Sequence, residues 1–298
     1  RSINIEYGSS SRKIANALYE NNLIRSKNLF NIVVNVLNYD NQLKAGYYTI
    51  SPERNMWEVI NIIKDGRITT YKITIPEGSE LKNIINKINL NSFYTKEEFL
   101  TAARNYNAEE KFFPNNKEVS FKIEGFLYPD TYIIPKNYNP HQIYNTMIKE
   151  FEKRWYEKIN NFSKEKEYSI LEIMTIASLV EKEAKYNEEK AVIADVIFNR
   201  LEKNMPLQID ATIQYALPAR KKRLLYSDLK IESPYNTYIN KGLPPGPICN
   251  PGDEAIEAVL NPKDTDYLFY FARENGKHVF SKTYKEHIER QNQIIEKD

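Results

Sequence analysis

The stretch ILEIMTIASLVEKEAK, residues 170–185, joins a long apolar segment to two glutamates, Glu181 and Glu183. At the helical spacing of about 100° per residue, the segment has one narrow apolar stripe, formed by Ile173, Ala177, Val180 and Ala184. The two glutamates flank this stripe, one on each side. We therefore predict a helix from Ile170 to Lys185 that carries an acid at each edge of its buried face.

Each of these glutamates is a candidate general acid, because partial burial disfavours the charged form of a carboxyl group and helps to keep it protonated. The alternative is an ordinary charged helix edge, since Glu181 and Lys185 have the i,i+4 spacing that is common on solvated helices. The pattern does not show whether these glutamates are catalytic or only solvated. It also does not show which of the two would be the catalytic one.

The first hundred residues alternate short extended segments with helical ones. Strands are predicted at INIEYG (3–8), AGYYTIS (45–51) and YKITIPEG (71–78), where apolar and β-branched residues recur. Helices are predicted at 9–23, 26–37 and 52–66 and from residue 77 onward. Pro52 stands at the start of the third helix and Gly66 follows its end, which is the usual asymmetry of helix termini.

From about Phe121 the pattern changes to longer helices, predicted at 140–158, 170–185 and 187–203. A turn-rich aromatic loop, EGFLYPDTYIIP (124–135), precedes them and runs into a strand. A hairpin that turns at Asn275-Gly276 and a polar helix end the chain. The sequence thus predicts an α+β fold, with a small α+β module over 1–120 and a larger, mostly helical domain over 121–298 that has short strands and a late β-hairpin.

A long proline-rich loop lies inside the second domain. Five prolines and three glycines occur between Ser233 and Gly252, and this composition is typical of a loop. Its length exceeds the common connection of about 4–6 residues, which favours either a functional loop or a disordered one. The aromatic residues and asparagines within it favour an ordered, functional loop.

Composition excludes several classes of function. The net charge is only +2, from 42 basic and 40 acidic residues, and the densest basic run is ARKKR (219–223). A nucleic-acid-binding protein would normally have a clearer basic surface. No apolar run reaches the about 18–20 residues that a membrane-spanning helix needs. The chain begins with Arg1 instead of Met, so we expect that a signal or membrane anchor preceded it.

Cysteine, metal and nucleotide chemistry have little support. Cys249 is the only cysteine, which excludes an intrachain disulfide and a thiolate metal cluster, and nothing near it in sequence would activate it as a nucleophile. The three histidines do not have the spacing of metal ligands. Neither a phosphate-binding loop nor a G-x-S-x-G motif is present. Carboxylate chemistry remains.

An ordered set of strings spans nearly the whole sequence: LKAGYYTI (43–50), ITIPEGSELKNI (73–84), EGFLYPDTY (124–132), ASLVEKEA (177–184), VIFNRLEKNMPLQIDATIQYAL (196–217), SPYNTYINKGLPPGPICNPG (233–252) and YLFYFARENGKHVFSK (267–282). Any one of these strings is a weak signal, but the set in this order is specific. It strongly resembles the YceG-like family of endolytic murein transglycosylases. The first two strings resemble the LysM-like N-terminal part of that family.

The resemblance implies cleavage of peptidoglycan strands between N-acetylmuramic acid and N-acetylglucosamine, within the strand and without water. One glutamic acid protonates the glycosidic oxygen and, as a carboxylate, then helps to deprotonate the muramic C6 hydroxyl. That hydroxyl attacks C1 and leaves a 1,6-anhydro end. The family's catalytic glutamate maps onto Glu181, and Glu183 is then expected to make a structural ion pair or hydrogen bond. No metal or organic cofactor is implied.

Further site residues are implied by the same resemblance. Gln208 and Asp210 would lie beside the acid and bind sugar or position the reacting oxygen. A structural alternative is that Asp210 caps a helix that begins at Ala211. Glu124 and Asp130 would close the site opposite Glu181, and their alternative is a hydrogen-bonded turn.

Three residues of the proline-rich loop would line the cleft: Tyr235, Asn236 and Tyr238. The two aromatic rings would stack on sugar faces and the Asn236 amide would bind an N-acetyl group. The alternative is a turn asparagine between two core tyrosines.

The resemblance also implies a LysM-like module over 1–120, a catalytic domain over 121–298 and a location on the extracytoplasmic face of the bacterial inner membrane. The family usually has one N-terminal transmembrane helix, which is absent from these residues. Peptidoglycan strands are the expected partner, along with proteins of the wall-synthesis machinery, and nucleic acid is not expected. Two alternatives stay open: a hydrolase in which Glu181 is the acid and Asp210 positions a water, and a non-catalytic peptidoglycan-binding scaffold.

Overall fold

The computed structural model describes residues 1–107 and 118–295. Its six short strands form three separate antiparallel pairs, β1 with β2, β3 with β4 and β5 with β6. The strands are β1 (Ser2–Ile5), β2 (Gly46–Thr49), β3 (Thr70–Thr74), β4 (Thr131–Pro135), β5 (Phe269–Ala272) and β6 (His278–Ser281). With the helices below, this arrangement confirms the α+β class.

Twelve α-helices lie in the described residues. They are α1 (Ser11–Glu20), α2 (Lys27–Val36), α3 (Met56–Asp65), α4 (Leu81–Asn89), α5 (Lys96–Arg104), α6 (Pro140–Phe151), α7 (Glu157–Lys166), α8 (Ile170–Glu183), α9 (Asn187–Glu202), α10 (Asp210–Ala216), α11 (Asp253–Leu260) and α12 (Tyr284–Ile295). In this part of the chain no helix is both long and apolar enough to cross a bilayer.

The chain forms two compact units that interleave along the sequence. The first contains Arg1–Thr74, Asn86–Lys96 and Thr131–Ile143, and the second contains Ile75–Ile85, Glu97–Asp130 and Tyr144–Asp298. These units are a different division from the modules 1–120 and 121–298, which stay a prediction.

The first unit packs α1, α2 and α3 around a core that includes the fully buried Leu18, Phe30 and Tyr48. Gly66 ends α3 with a left-handed φ of 72°, as its position in the sequence predicted. The prediction that the helix starts at Pro52 was wrong. Asn55 and Glu58 form a capping box, which satisfies the free backbone amides and sets the start at Met56.

The second unit is built around α8, which is buried on almost all sides and not along a single stripe. Ten of its fourteen residues are buried. The helices α7, α9, α10 and α11 all pack against α8. Ser169 and Glu172 form a capping box at its start. The narrow stripe predicted from the sequence was therefore too small, because several elements cover this helix together.

The helix predicted over 140–158 continues to Lys166 and is interrupted by a π-helical turn at Glu152–Tyr156. Trp155 in this turn is buried and donates its indole N–H to Asp253 at 2.7 Å. The hairpin of β5 and β6 turns at Gly276, which has a φ of 83°, as predicted. The helices α5 and α11 were not predicted from the sequence.

Candidate active site

Glu181 lies in the last turn of α8 and forms a buried ion pair. Its Oε2 accepts a hydrogen bond from Nζ of Lys190 in α9 at 3.0 Å. The Glu181 and Lys190 side chains are only 10% and 5% exposed. The chain turns between α8 and α9 within a few residues, and this turn brings the two side chains together. The stability of an ion pair that is so well shielded from water depends on both partners, because either charge alone would be poorly solvated.

The segment before α4 lies against the other side of the Glu181 carboxyl group. A Cβ built on Gly78 would be 3.5 Å from Oε1 of Glu181. The Gly78 carbonyl accepts a hydrogen bond from Nζ of Lys182 at 2.7 Å, and its N–H donates to the Asn250 carbonyl at 2.8 Å. Bonds to α8 and to the proline-rich loop thus hold this backbone beside the acid.

A second carboxyl group, that of Glu77, belongs to this segment, and its place near Glu181 was not predicted from the sequence. Its side chain packs onto Gly252, where an added Cβ would be 2.0 Å from the Glu77 Cδ. Partial burial raises the pKa of Glu77, and the charge of Glu181 raises it further. Glu77 belongs to the string ITIPEGSELKNI, whose Pro-Glu-Gly turn was the available signal.

Glu124 is buried and joins separate segments of the second unit. Its two oxygens accept hydrogen bonds from the N–H of Leu81, the first residue of α4, at 3.0 and 3.1 Å. Asn250 donates to the same carboxyl group at 2.9 Å, and the Tyr215 hydroxyl does so at 3.4 Å. Burial raises the pKa of Glu124 to about 8. These contacts fit the hydrogen-bonded alternative, and direct contact with substrate stays a prediction.

Asp130 lies on the surface, where Arg154 of the π-helical turn approaches its Oδ2 at 3.3 Å. Both side chains are about 40% exposed, and an ion pair of this kind contributes little to stability. The expectation that Asp130 closes the site opposite Glu181 stays a prediction.

Glu183 lies within a second polar cluster of the same unit. It accepts a hydrogen bond from the Tyr270 hydroxyl at 2.9 Å, which is the kind of supporting contact predicted for it. Burial raises the pKa of Glu183, and the nearby charge of Asp210 raises it further. Asp210 in turn accepts a hydrogen bond from the hydroxyl of Tyr238.

The backbone around the start of α10 sets the positions of Gln208 and Asp210. Gln208 has a left-handed φ of 55° and donates its N–H to the Thr237 carbonyl at 3.0 Å. The helix starts at Asp210 itself, with Ile209 at the N-cap position, so the capping interpretation of Asp210 was wrong. The structure brings Asp210 and Tyr238 together, and it groups them with Glu183.

Asn236 and Tyr235 are buried within the proline-rich loop. The Asn236 amide donates to the carbonyls of Leu229 and Ile231 at 3.0 and 2.8 Å, and its oxygen accepts from the Tyr238 N–H at 2.9 Å. The ring of Tyr235 lies 4.9 Å from that of Tyr215. These contacts fit a structural loop, so substrate contact by either residue stays a prediction.

Metal binding has no support in the described part of the chain, where no group of three or more His, Cys, Asp or Glu side chains is arranged to hold an ion. Cys249 is buried, and burial raises the pKa of its thiol. The described site therefore offers carboxyl, ammonium, amide and phenol groups.

The sequence matches the YceG-like family over residues 3–293. It is 37% identical to an endolytic murein transglycosylase of Bacillus subtilis over 299 residues, covering 96% of this chain and 82% of that protein. An endolytic murein transglycosylase of Streptococcus pneumoniae is 29% identical over 316 residues, and the match covers 96% of this chain but 56% of that longer protein.

A crystal structure of a YceG-like protein from Listeria monocytogenes is similar in fold. The TM-score is 0.69 at 35% sequence identity, and the match covers 97% of this chain and 98% of that one. The family match, the curated relatives and the fold agree with the resemblance carried by the sequence strings. This chain belongs to the YceG-like family.

Proposed function

We propose that this protein is an endolytic murein transglycosylase that cleaves peptidoglycan strands between N-acetylmuramic acid and N-acetylglucosamine. The observation that carries the proposal is Glu181, a nearly buried carboxyl group fixed by Lys190, in a chain whose curated relatives have that activity in their names. Cleavage within the strand would leave a 1,6-anhydro end on the muramic acid residue at the cut.

In the proposed mechanism Glu181 acts first as an acid and then as a base. The protonated carboxyl group gives its proton to the glycosidic oxygen while the bond from C1 to that oxygen breaks. The carboxylate then takes the proton of the muramic C6 hydroxyl, whose oxygen bonds to C1. The proton lost in the first step is recovered in the second, so neither water nor a cofactor is consumed. This differs from the two-carboxylate scheme of most glycosidases.

Gln208, Asp210 and Tyr238 are also proposed to bind sugar. Support comes from their closeness to each other and from the bond between Tyr238 and Asp210. Tyr235, Asn236, Glu124 and Asp130 are carried over as substrate-binding residues on the sequence resemblance alone.

The N-terminal module over residues 1–120 is proposed to be LysM-like and to hold the glycan strand. Support comes from its small mixed architecture, in which the paired strands β1 and β2 bracket α1 and α2. We further propose an extracytoplasmic location with an N-terminal membrane anchor in the full-length protein, and partners among the wall-synthesis proteins.

One observation supports a second candidate for the acid. Burial raises the pKa of Glu183, and Glu183 lies in the cluster that contains Asp210 and Tyr238, whereas Glu181 is paired with Lys190. The raised pKa favours Glu183 as the general acid, and the sequence resemblance favours Glu181. Two matched variants, Glu181→Gln and Glu183→Gln, separate them.

The experiment digests purified peptidoglycan with the parent protein and both variants and separates the released fragments by mass. We expect anhydro-muramic ends from the parent, loss of at least a hundredfold in Glu181→Gln with glycan binding retained, and a much smaller loss in Glu183→Gln. The reverse ranking would assign the acid to Glu183. Reducing muramic ends would instead indicate a hydrolase, and an inactive parent that still binds glycan would indicate a scaffold.

A further inference from the structure

The carboxyl group of Glu181 has two different sides. Oε2 is held by the Lys190 ammonium at 3.0 Å, whereas Oε1 faces the Gly78 backbone. Among residues 1–107 and 118–295 no hydrogen-bond donor is assigned to Oε1. The two oxygens are therefore not equivalent, although the free carboxylate is symmetric.

Lys190 can act on Glu181 only as a hydrogen-bond donor. An ammonium group has three N–H donors and no acceptor, so it cannot receive a hydrogen bond from a protonated Oε2. The carbonyl oxygen of a carboxylic acid accepts a hydrogen bond better than its hydroxyl oxygen does, so the bond from Lys190 to Oε2 favours the acid form in which the proton lies on Oε1. The acid form then presents its proton on the side of Gly78, which has no side chain.

We propose that Lys190 is a positioning residue that selects Oε1 of Glu181 as the proton-transferring oxygen and stabilises the carboxylate left after the transfer. This inference rests on the proposed function. The chemistry is that of Glu181: the proton leaves Oε1 for the glycosidic oxygen and returns to Oε1 from the C6 hydroxyl. Lys190 keeps its own three protons throughout, so none of its covalent bonds is formed or broken in the reaction.

The burial of the pair strengthens the electrostatic effect of Lys190 on the Glu181 carboxylate. With both side chains at most 10% exposed, little water screens the attraction, and the negative charge that develops on Glu181 is stabilised more strongly than at a surface. Lys190 therefore promotes the proton transfer step.

Two further titratable groups interact electrostatically with this pair. They are Glu77 before α4, which is near the charges of both Glu181 and Lys190, and Cys249 in the proline-rich loop, which is near the charge of Glu181. Glu189, beside Lys190 in sequence, is paired with His278 of β6 at 2.8 Å. Of all these groups, Lys190 alone has a hydrogen bond assigned to Glu181 in the described residues.

The test compares Lys190→Met with Lys190→Arg, using release of anhydro-muramic ends as the readout. In Lys190→Met we expect at least a tenfold lower kcat with KM little changed. In Lys190→Arg, which keeps the charge and the hydrogen-bond donor, we expect most of the parental kcat. Lys185→Met is the matched control: Lys185 is exposed and bonds a hairpin carbonyl, so its kcat and KM should match those of the parent.

Two outcomes would overturn the inference. The first is a parental kcat in Lys190→Met, and the second is an equal loss of kcat in Lys190→Met and Lys190→Arg. If Lys190→Met does not fold, the arginine variant still decides, because a folded Lys190→Arg protein with at least a tenfold lower kcat would contradict the role of the charge. An inactive parent protein would instead defeat the proposed function, and the two failures are therefore distinguishable.

Discussion

Asn250 donates a hydrogen bond to the buried carboxyl group of Glu124 at 2.9 Å, although 126 positions separate the two residues in sequence. The same side chain donates to the Ser79 carbonyl at 2.9 Å and accepts from the Leu127 N–H at 2.8 Å. One amide thus connects the proline-rich loop, the segment that covers Glu181 and the aromatic loop at 124–132. The position of the backbone beside Glu181 depends on this connection.

Replacement of Asn250 by alanine should destabilise the protein strongly. The variant removes one of the donors to the buried Glu124 carboxyl group and leaves the buried N–H of Leu127 without its partner, and an unsatisfied buried group costs about 1–3 kcal/mol. We expect a loss of roughly 2–4 kcal/mol in the free energy of unfolding, measured by urea denaturation. Asn261→Ala is the control, because Asn261 is an exposed helix-end residue and its loss should cost less than about 0.5 kcal/mol. Equal midpoints for the two variants would contradict this role of Asn250.

Glu124 should make stability depend on pH in the near-neutral range. Burial raises its folded-state pKa to about 8, whereas an unfolded glutamate titrates near about 4.3. Between these values the folded state holds the additional proton, so its stabilising effect is present at low pH and is lost as the pH rises through about 8.

The measurement is the melting temperature of the parent and of Glu124→Gln at several pH values between 5 and 9. Because glutamine stays neutral, the difference between the two proteins should move in favour of the variant as the pH rises. A difference that stays constant over this range would show that Glu124 does not change protonation there. Glu124→Leu is expected to be less stable than both, since it leaves the Leu81 N–H without an acceptor and removes one of the two acceptors of the Asn250 amide.

Short-range signals in the sequence predicted much of the secondary structure. Ser10 and Ser26 accept hydrogen bonds from the amides three residues later, and the helix starts could be read from them. Gly66 and Gly276 adopt the left-handed conformations that their turns require. These features depend on neighbours within a few residues, so they leave a local pattern.

The surroundings of the candidate acid could not be predicted in this way. Lys190 follows Glu181 by nine residues, and no helical spacing connects them because the chain turns between α8 and α9. Glu77 reaches the site from another segment altogether. The helical wheel placed Glu181 and Glu183 at equivalent edges, yet tertiary packing gives one an ammonium partner and the other a phenol. Only the sequence resemblance separated the two before the structure.

Two glycines near the site should respond differently to alanine. A Cβ on Gly125 would lie 2.4 Å from the ring of Pro247, and Gly125 has a left-handed φ of 89°. We expect Gly125→Ala to cost roughly 2–4 kcal/mol through strain and overpacking. Gly252 has an ordinary φ of −85°, and the atoms its Cβ would meet belong to the flexible side chain of Glu77.

Gly252→Ala should therefore cost less than about 1 kcal/mol, as Glu77 turns away. Chemical denaturation of both variants gives the comparison. A double-mutant cycle with Glu77→Ala tests the cause, because the remaining cost of Gly252→Ala should disappear once the Glu77 side chain is gone. A cost that persists in the double variant would show that something other than Glu77 opposes the new methyl group.

Gly78→Ala should reduce activity more than stability. Gly78 has a left-handed φ of 69°, and its added Cβ would lie 3.5 Å from Oε1 of Glu181, on the side where we propose that the proton is transferred. Gly8 is a matched control, since its φ is 75° and a Cβ there meets nothing within 4 Å. Both substitutions impose similar backbone strain of about 1–2 kcal/mol. We expect comparable losses of stability by urea denaturation, but a tenfold or greater loss of anhydro-muramic product only in Gly78→Ala. Equal activities in the two variants at equal folded fractions would show that the approach to Oε1 does not pass over Gly78.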